Sequence, residues 1–60
     1  MINVGVVGCT GKLGRMIIKD TVNRTDIKIS EVIARKGNPY VGHNISEIVG
    51  NNFDLQIIDD

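Results

Sequence analysis

Residues 2–14 read INVGVVGCTGKLG, and this stretch decides the fold. Its first six residues are mostly β-branched or apolar and are followed by Gly8, which predicts a β-strand. The nearly continuous apolar character of this strand predicts a parallel strand that is covered on both faces. Every third residue from 8 to 14 is then a glycine, and a helix is predicted from this loop to about Arg24. A glycine-rich loop between a strand and a helix is typical of the opening unit of a dinucleotide-binding fold.

The rest of the chain alternates between strand and helix signals. The predicted elements are a second strand at residues 28–34, a loop at 35–41, a short helix at 44–49 and a third strand at 53–58. Asn44 is expected to cap the short helix and Gly50 to end it, while Asp59 and Asp60 are expected to begin another helix. The second strand has a mixed pattern, which indicates less enclosure than the first. We predict an α/β fold, namely the first βαβ(β) part of a Rossmann-type parallel-sheet nucleotide-binding domain, incomplete within this chain.

The predicted first helix has one apolar face. Its members recur at intervals of three and four residues and are Gly14, Ile17, Ile18, Thr21 and Val22. Leu13 and Met16 are expected to widen this buried face. Sixty residues are fewer than a typical domain has, so we expect residues 1–60 to be the N-terminal part of a dinucleotide-binding domain. Such a part would keep an exposed sheet edge and an apolar face, and we expect it to be poorly stable alone.

The glycine loop predicts a phosphate site. Gly8 permits the tight exit from the strand, Gly11 permits close approach of a pyrophosphate, and Gly14 permits close packing of the helix. The first N–H groups of the helix lack internal partners and favour an anion, and Lys12 lies on the first turn. The alternative is a glycine-rich connection without a ligand. Each glycine would then cost up to about 1 kcal/mol of helix propensity or chain entropy with no ligand binding to offset it.

The end of the second strand predicts which nucleotide is preferred. An acidic residue about 20 positions after the loop would bind the ribose 2′-hydroxyl of NAD. Here Ala34 holds that position and Arg35 and Lys36 follow. Two cations suit a 2′-phosphate, so NADPH is the expected cofactor, with NADH possible. The alternative is a pair of solvated charges in an exposed loop.

The composition excludes several other functions. Seven basic and seven acidic residues give zero net charge, so no overall field attracts nucleic acid or an acidic membrane. A single cysteine rules out an internal disulfide, and no Cys/His cluster is present to hold a metal. Apolar runs are far shorter than the roughly 20 residues that a membrane span needs, and the N-terminus lacks a basic leader region. We expect a cytoplasmic protein without nucleic-acid, membrane or metal partners.

No catalytic constellation is predicted within these residues. Cys9 lies where a helix N-terminus lowers the pKa of a thiol, but a small residue that fills a tight turn is the preferred interpretation. His43 stands alone in a loop without an acid or nucleophile near it. Asp59 and Asp60 resemble a carboxylate pair, although acids are also favoured at a helix N-terminus for electrostatic reasons.

The sequence resembles the N-terminus of the 4-hydroxy-tetrahydrodipicolinate reductase (dihydrodipicolinate reductase) family over nearly its whole length. Residues 4–16 are similar to the strand and Gly-x-x-Gly-Arg-Met-Gly loop of that family, with Lys12 and Leu13 in place of Arg and Met. Residues 34–45 resemble its Arg-x-Gly-Ser-x-x-x-Gly-x-Asp segment, and residues 46–50 its Gly-Glu-Leu-x-Gly segment.

This resemblance implies a reductase that transfers a hydride from NAD(P)H in lysine and diaminopimelate biosynthesis. The implied cofactor-binding residues are Gly8, Cys9, Thr10, Gly11, Lys12, Leu13 and Arg35. Ala34 departs from the acidic residue that is frequent in the family. The catalytic residues, the small-molecule substrate site and the contacts of the family's homotetramer are implied to lie beyond Asp60, so the 60 residues alone are not expected to be catalytic.

Two alternatives stay open on the sequence. One is another Gly-x-x-Gly-x-x-Gly oxidoreductase that uses NAD(P), such as a semialdehyde dehydrogenase or an extended short-chain dehydrogenase. The other is a non-catalytic nucleotide-binding remnant.

Overall fold

A computed structural model describes residues 1–59 as a three-stranded parallel sheet with helices in its connections. The elements, in chain order, are β1 (Ile2–Val7), α1 (Lys12–Asp20), a 3₁₀ turn (Thr21–Asn23), β2 (Ile27–Ala34), α2 (Ser46–Val49) and β3 (Ile57–Asp59). The strand order is β1-β2-β3, and both neighbouring pairs are parallel. This is the predicted Rossmann-type βαβ arrangement.

The sheet register brings the carboxyl ends of the strands to one edge. β1 pairs with β2 from Ile2 opposite Ile27 onward, and the register shifts after Val4 because Ser30 has no opposite residue. β2 then pairs with β3, with Ala34 opposite Asp59. Because the strands are parallel neighbours, the loops that follow β1 and β2 lie side by side.

One apolar core lies between the sheet and the helices. Its buried residues come from all three strands, both helices and the loops, and they are Val6, Cys9, Ile18, Ile29, Val32, Ala34, Ile45, Val49 and Ile57. Gly14 and Ile18 are the buried residues of α1. Burial of this shared set holds the helices against the sheet and so fixes the position of the loop between β1 and α1.

The first helix differs from its prediction in length and in its buried face. α1 ends at Asp20, and the chain continues as a 3₁₀ turn because Arg24 N–H bonds to Thr21 O at 3.0 Å. Leu13 and Met16 do not widen the buried face, since they are 70% and 55% exposed. The helical period places them on a side of α1 that no other described element covers. Ile17 and Val22, which were expected on the buried face, are also exposed, at 43% and 42%.

The predicted order of strand enclosure is also wrong for residues 1–59. β2 is the central strand and is paired on both sides, whereas β1 lies at the edge of the described sheet. Val7, at the end of β1, is 73% exposed. The expected apolar surface and exposed sheet edge are therefore present. Strand enclosure follows from the order of strands in the sheet, which composition alone does not determine.

The C-terminal elements are shorter than predicted. β3 begins at Ile57 rather than at residue 53, although Phe53 and Leu55 pack against the core. Asp59 continues β3 and does not begin a helix, while Asp60 lies outside the described residues. α2 begins at Ser46, and the Asn44 side chain accepts a hydrogen bond from Ser46 N–H at 2.9 Å. Asn44 thus supports the turn before α2 instead of occupying its N-cap position.

Candidate nucleotide-binding site

Two loops meet at the carboxyl edge of the sheet: the glycine loop (residues 8–11) after β1 and the second loop (residues 35–43) after β2. Backbone hydrogen bonds join the start of the glycine loop to the end of β2. The N–H groups of Gly8 and Cys9 both donate to Ile33 O, at 2.8 and 3.2 Å. The glycine loop is therefore held at a fixed place beside the exit of β2.

Gly8 and Gly14 give this loop its shape. Gly8 has φ +77°, a left-handed conformation that a side chain disfavours, and its carbonyl accepts a hydrogen bond from Gly11 N–H at 3.0 Å. A Cβ atom at Gly14 would overlap the carbonyl oxygen of Gly8 and would lie 3.0 Å from Cys9 Cα. The start of α1 therefore packs directly on the backbone of the loop. Only glycine at position 14 permits this close approach to the Gly8 carbonyl.

The N-terminus of α1 is free to bind an anion. Gly11 is the N-cap residue, without a side-chain capping bond, and the first turn contains no acidic residue. The first helical hydrogen bond runs from Arg15 N–H to Gly11 O at 3.0 Å. The N–H groups of Lys12, Leu13 and Gly14 therefore lack partners inside the helix and lie at its positive end. A Cβ at Gly11 would lie 3.4 Å from Gly8 O, which is close to ordinary van der Waals contact.

The remaining side chains of the first loop fall into two groups. Lys12 and Leu13 are exposed on the first turn of α1, whereas Thr10 is half-buried. Thr10 Oγ1 accepts a hydrogen bond from Asn38 Nδ2 at 3.1 Å. Lys12 and Leu13 thus extend from the turn that carries the free N–H groups, whereas the Thr10 hydroxyl faces the second loop.

Cys9 lies beneath the loop and is fully buried, with 0% of its surface exposed. Burial raises the pKa of its thiol above the ordinary value, and this outweighs the opposing effect of a backbone hydrogen bond. The thiol is therefore protonated at neutral pH and fills the space under the loop, in agreement with the preferred interpretation of its small size. Its direct contact with a cofactor stays a prediction.

Arg35 and Lys36 lie exposed in a tight turn at the start of the second loop. Asn38 N–H donates to Arg35 O at 2.9 Å. Gly37, the third residue of this turn, has a left-handed φ of +90°, as the third position of a type II turn requires. Neither cation forms an ion pair within residues 1–59. Both positive charges are therefore available to a ligand at this edge.

Two residues at this edge were not found by sequence reasoning. Asn38 bonds to the glycine loop from 28 residues away in sequence, which no local pattern reveals. Asp59 lies opposite Ala34 and so brings an exposed carboxylate to the edge. Asp59 was predicted to begin a helix, so its position at the end of β3 was not foreseen.

A separate cavity of about 310 Å³ lies at the amino end of β2. Its lining residues are Thr21, Val22, Ile27, Lys28, Ile29, Asn52, Phe53, Asp54 and Leu55. No predicted cofactor-binding residue is among them, because the glycine loop lies at the opposite ends of the strands. His43 is the last residue of the second loop, and the expectation that no acid lies near it is wrong: its Nδ1 is 3.3 Å from the Glu47 carboxylate, and its ring packs edge-on to Tyr40.

Residues 1–59 lack the features of two other classes of site. No helix there combines the length and the apolar character that crossing a membrane requires. No group of three or more His, Cys, Asp or Glu residues in that range is placed to hold a metal ion.

Comparison with known proteins matches the chain to one family. Residues 2–60 match the family described as "Dihydrodipicolinate reductase, N-terminus". The chain is 43% identical, over 93% of its length, to 4-hydroxy-tetrahydrodipicolinate reductase of Wolbachia pipientis subsp. Culex pipiens (strain wPip), covering 21% of that protein. It is 40% identical, over 97% of its length, to the same reductase of Ehrlichia canis (strain Jake), covering 22% of that protein. The chain thus spans about a fifth of these curated relatives, and it belongs to the dihydrodipicolinate reductase N-terminus family.

Proposed function

We propose that residues 1–60 are the dinucleotide-binding part of a reductase similar to 4-hydroxy-tetrahydrodipicolinate reductase, which transfers a hydride from NAD(P)H in lysine and diaminopimelate biosynthesis. The packing of Gly14 on the carbonyl of Gly8 carries this proposal, because it leaves a helix N-terminus open to a phosphate. Membership of the family supports it and disfavours the other Gly-x-x-Gly-x-x-Gly oxidoreductases.

In this proposal the glycine loop holds the pyrophosphate of the cofactor. The free N–H groups of residues 12–14 donate to its oxygens, and the Lys12 ammonium adds a charge-assisted contact. Leu13 supplies an exposed apolar contact on the same turn. The bound nicotinamide supplies the hydride, while these residues bind and orient the dinucleotide.

The proposed preference is for NADPH over NADH. Arg35 and Lys36 are exposed and free of ion pairs within residues 1–59, so they are suited to a 2′-phosphate. The absence of an acid at Ala34 removes the usual ligand of the ribose hydroxyls. Asp59 opposes this preference because its carboxylate repels a phosphate at the same edge. Two cations against one carboxylate leave a net attraction for the phosphate.

The substrate, the catalytic residues and the assembly belong to the whole protein. We propose a small cyclic substrate of the dihydrodipicolinate type and a homotetramer, as the family resemblance implies. We also propose a cytoplasmic location, which the single cysteine of residues 1–60 favours. Residues 1–60 would contribute cofactor binding and no catalytic group.

The test uses the whole gene product that carries this sequence. Its intact mass is measured first, followed by its dissociation constants for NADPH and NADH and its oxidation of NADPH in the presence of the substrate. We expect binding of both dinucleotides, tighter binding of NADPH, and substrate-dependent oxidation. A protein that binds neither dinucleotide contradicts the proposal.

A matched pair of lysines on α1 identifies the binding end of the helix. Lys12→Ala is expected to weaken NADPH binding roughly tenfold, since a hydrogen bond to a charged group is lost. Lys19→Ala, on the last turn of the same helix, is expected to leave the affinity unchanged. Equal effects of the two substitutions would argue against a phosphate at the N-terminus of α1.

A further inference from the structure

Asn38 joins the two loops of the proposed cofactor site through its side chain. Its Nδ2 donates a hydrogen bond to Thr10 Oγ1 at 3.1 Å, while its Oδ1 accepts one from Tyr40 N–H at 2.8 Å. Asn38 is half-buried, although Gly37 and Pro39 on either side of it are exposed. Both polar ends of the amide are therefore engaged within the protein.

The backbone of Asn38 is fixed as well. Its N–H closes the turn onto Arg35 O, and its carbonyl accepts a hydrogen bond from Val41 N–H at 3.1 Å. Arg35 and Lys36 thus lie on a turn whose last residue is tied to the glycine loop. Within residues 1–59, the bond from Asn38 to Thr10 is the side-chain hydrogen bond that spans the two loops.

We infer that Asn38 is a positioning residue, which sets the spacing between the phosphate-binding glycine loop and the cations of the second loop. The inference rests on the proposed function. A ligand that contacts both loops binds more tightly when the protein holds them at the required spacing beforehand, because less ordering accompanies binding. Asn38 acts through Thr10 and need not contact the cofactor.

A double-mutant cycle on the whole gene product tests this role. Asn38→Ala and Thr10→Val each remove the same hydrogen bond, so each is expected to weaken NADPH binding about 2- to 10-fold. The double variant is expected to bind NADPH about as tightly as the single variant with the lower affinity. Both substitutions remove the same hydrogen bond, so their losses of affinity should not add. Thr10→Ser keeps the hydroxyl acceptor and is expected to lose less NADPH affinity than Thr10→Val.

A second ligand separates positioning from simple disruption of the second loop. Adenosine 2′-monophosphate is short enough to contact the second loop alone, so all four variants are expected to bind it as the parent does. Loss of this binding in parallel with NADPH would overturn the inference, because the second loop itself would then be damaged.

The remaining outcomes are equally decisive. Additive losses in the double variant, or an unchanged NADPH affinity in Asn38→Ala, overturn the positioning role. If Asn38→Ala does not fold, the comparison of Thr10→Val with Thr10→Ser carries the test: a larger loss of NADPH affinity is expected for valine than for serine, and equal losses would overturn the positioning role. A parental protein that binds no NADPH contradicts the proposed function instead.

Discussion

The glycine loop and the second loop serve neighbouring parts of one proposed site but are built on opposite principles. The glycine loop is crowded: a Cβ at Gly14 would meet the Gly8 carbonyl, and Cys9 beneath the loop is fully buried. The second loop is open, since Arg35, Lys36 and Gly37 are all exposed and its charges project into solvent. In the proposed site, phosphate binding would thus depend on missing side chains, and nucleotide preference on the side chains that are present.

The largest effect is expected at the most crowded position. Gly14→Ala would force α1 away from the loop backbone, which we expect to abolish dinucleotide binding and to lower the free energy of unfolding by about 1–3 kcal/mol. Gly5→Ala is the control, because its Cβ would lie at an ordinary 3.8 Å from Glu31 Cβ. Thermal melts and NADPH titrations of both variants measure the difference. Undiminished binding by Gly14→Ala would remove the crowding argument.

A smaller effect is expected in the open loop. Replacing Arg35 and Lys36 together with alanine should lower the preference for NADPH over NADH by about tenfold or more, because charged hydrogen bonds to the 2′-phosphate are lost. Stability should change little, since both side chains are exposed. Dissociation constants for the two dinucleotides measure this ratio, with Lys28→Ala as the control at the far end of β2. A preference that is unaffected by the double substitution rules out these two cations as its source.

The carboxylate that β3 brings to the same edge should act in the opposite direction. Asp59→Asn is expected to raise the ratio of NADPH affinity to NADH affinity by about 2- to 3-fold. The effect is small because solvent and salt screen an exposed charge. The gain should shrink at high salt. The control is Glu31→Gln, which removes a carboxylate on the neighbouring strand β2 and should leave the ratio unchanged. A fall in the ratio for Asp59→Asn would assign that carboxylate a different role.

The smallest effect is expected far from both loops, at the exposed pair Arg24–Asp26. A hydrogen bond from Arg24 Nη2 to Asp26 at 2.8 Å holds the pKa of that carboxyl below its ordinary value. The stability that it contributes is therefore present above the ordinary pKa of an aspartate and is lost as the pH falls through the lowered value. Asp26→Asn should remove this small acid-side slope from urea midpoints measured between pH 2 and pH 5, roughly the range of such carboxyls. NADPH affinity at neutral pH should not change.

Local chemistry made much of the fold predictable from sequence. β-branched residues set β1, the glycine spacing set the loop, and the start of α1 followed from both. The rest depended on tertiary placement. The exposure of Leu13 and Met16 follows from which elements pack on α1, and the position of Asp59 follows from the register of β3. The contact between Asn38 and Thr10 joins residues that no sequence period relates.

The most direct test of the glycine-loop site is a crystal structure of the whole gene product with NADPH. We expect pyrophosphate oxygens about 3 Å from the backbone nitrogens of residues 12–14, the ordinary hydrogen-bond distance, with the 2′-phosphate beside Arg35. A cofactor bound instead in the cavity between Lys28 and Phe53, with the N-terminus of α1 facing only solvent, would contradict it.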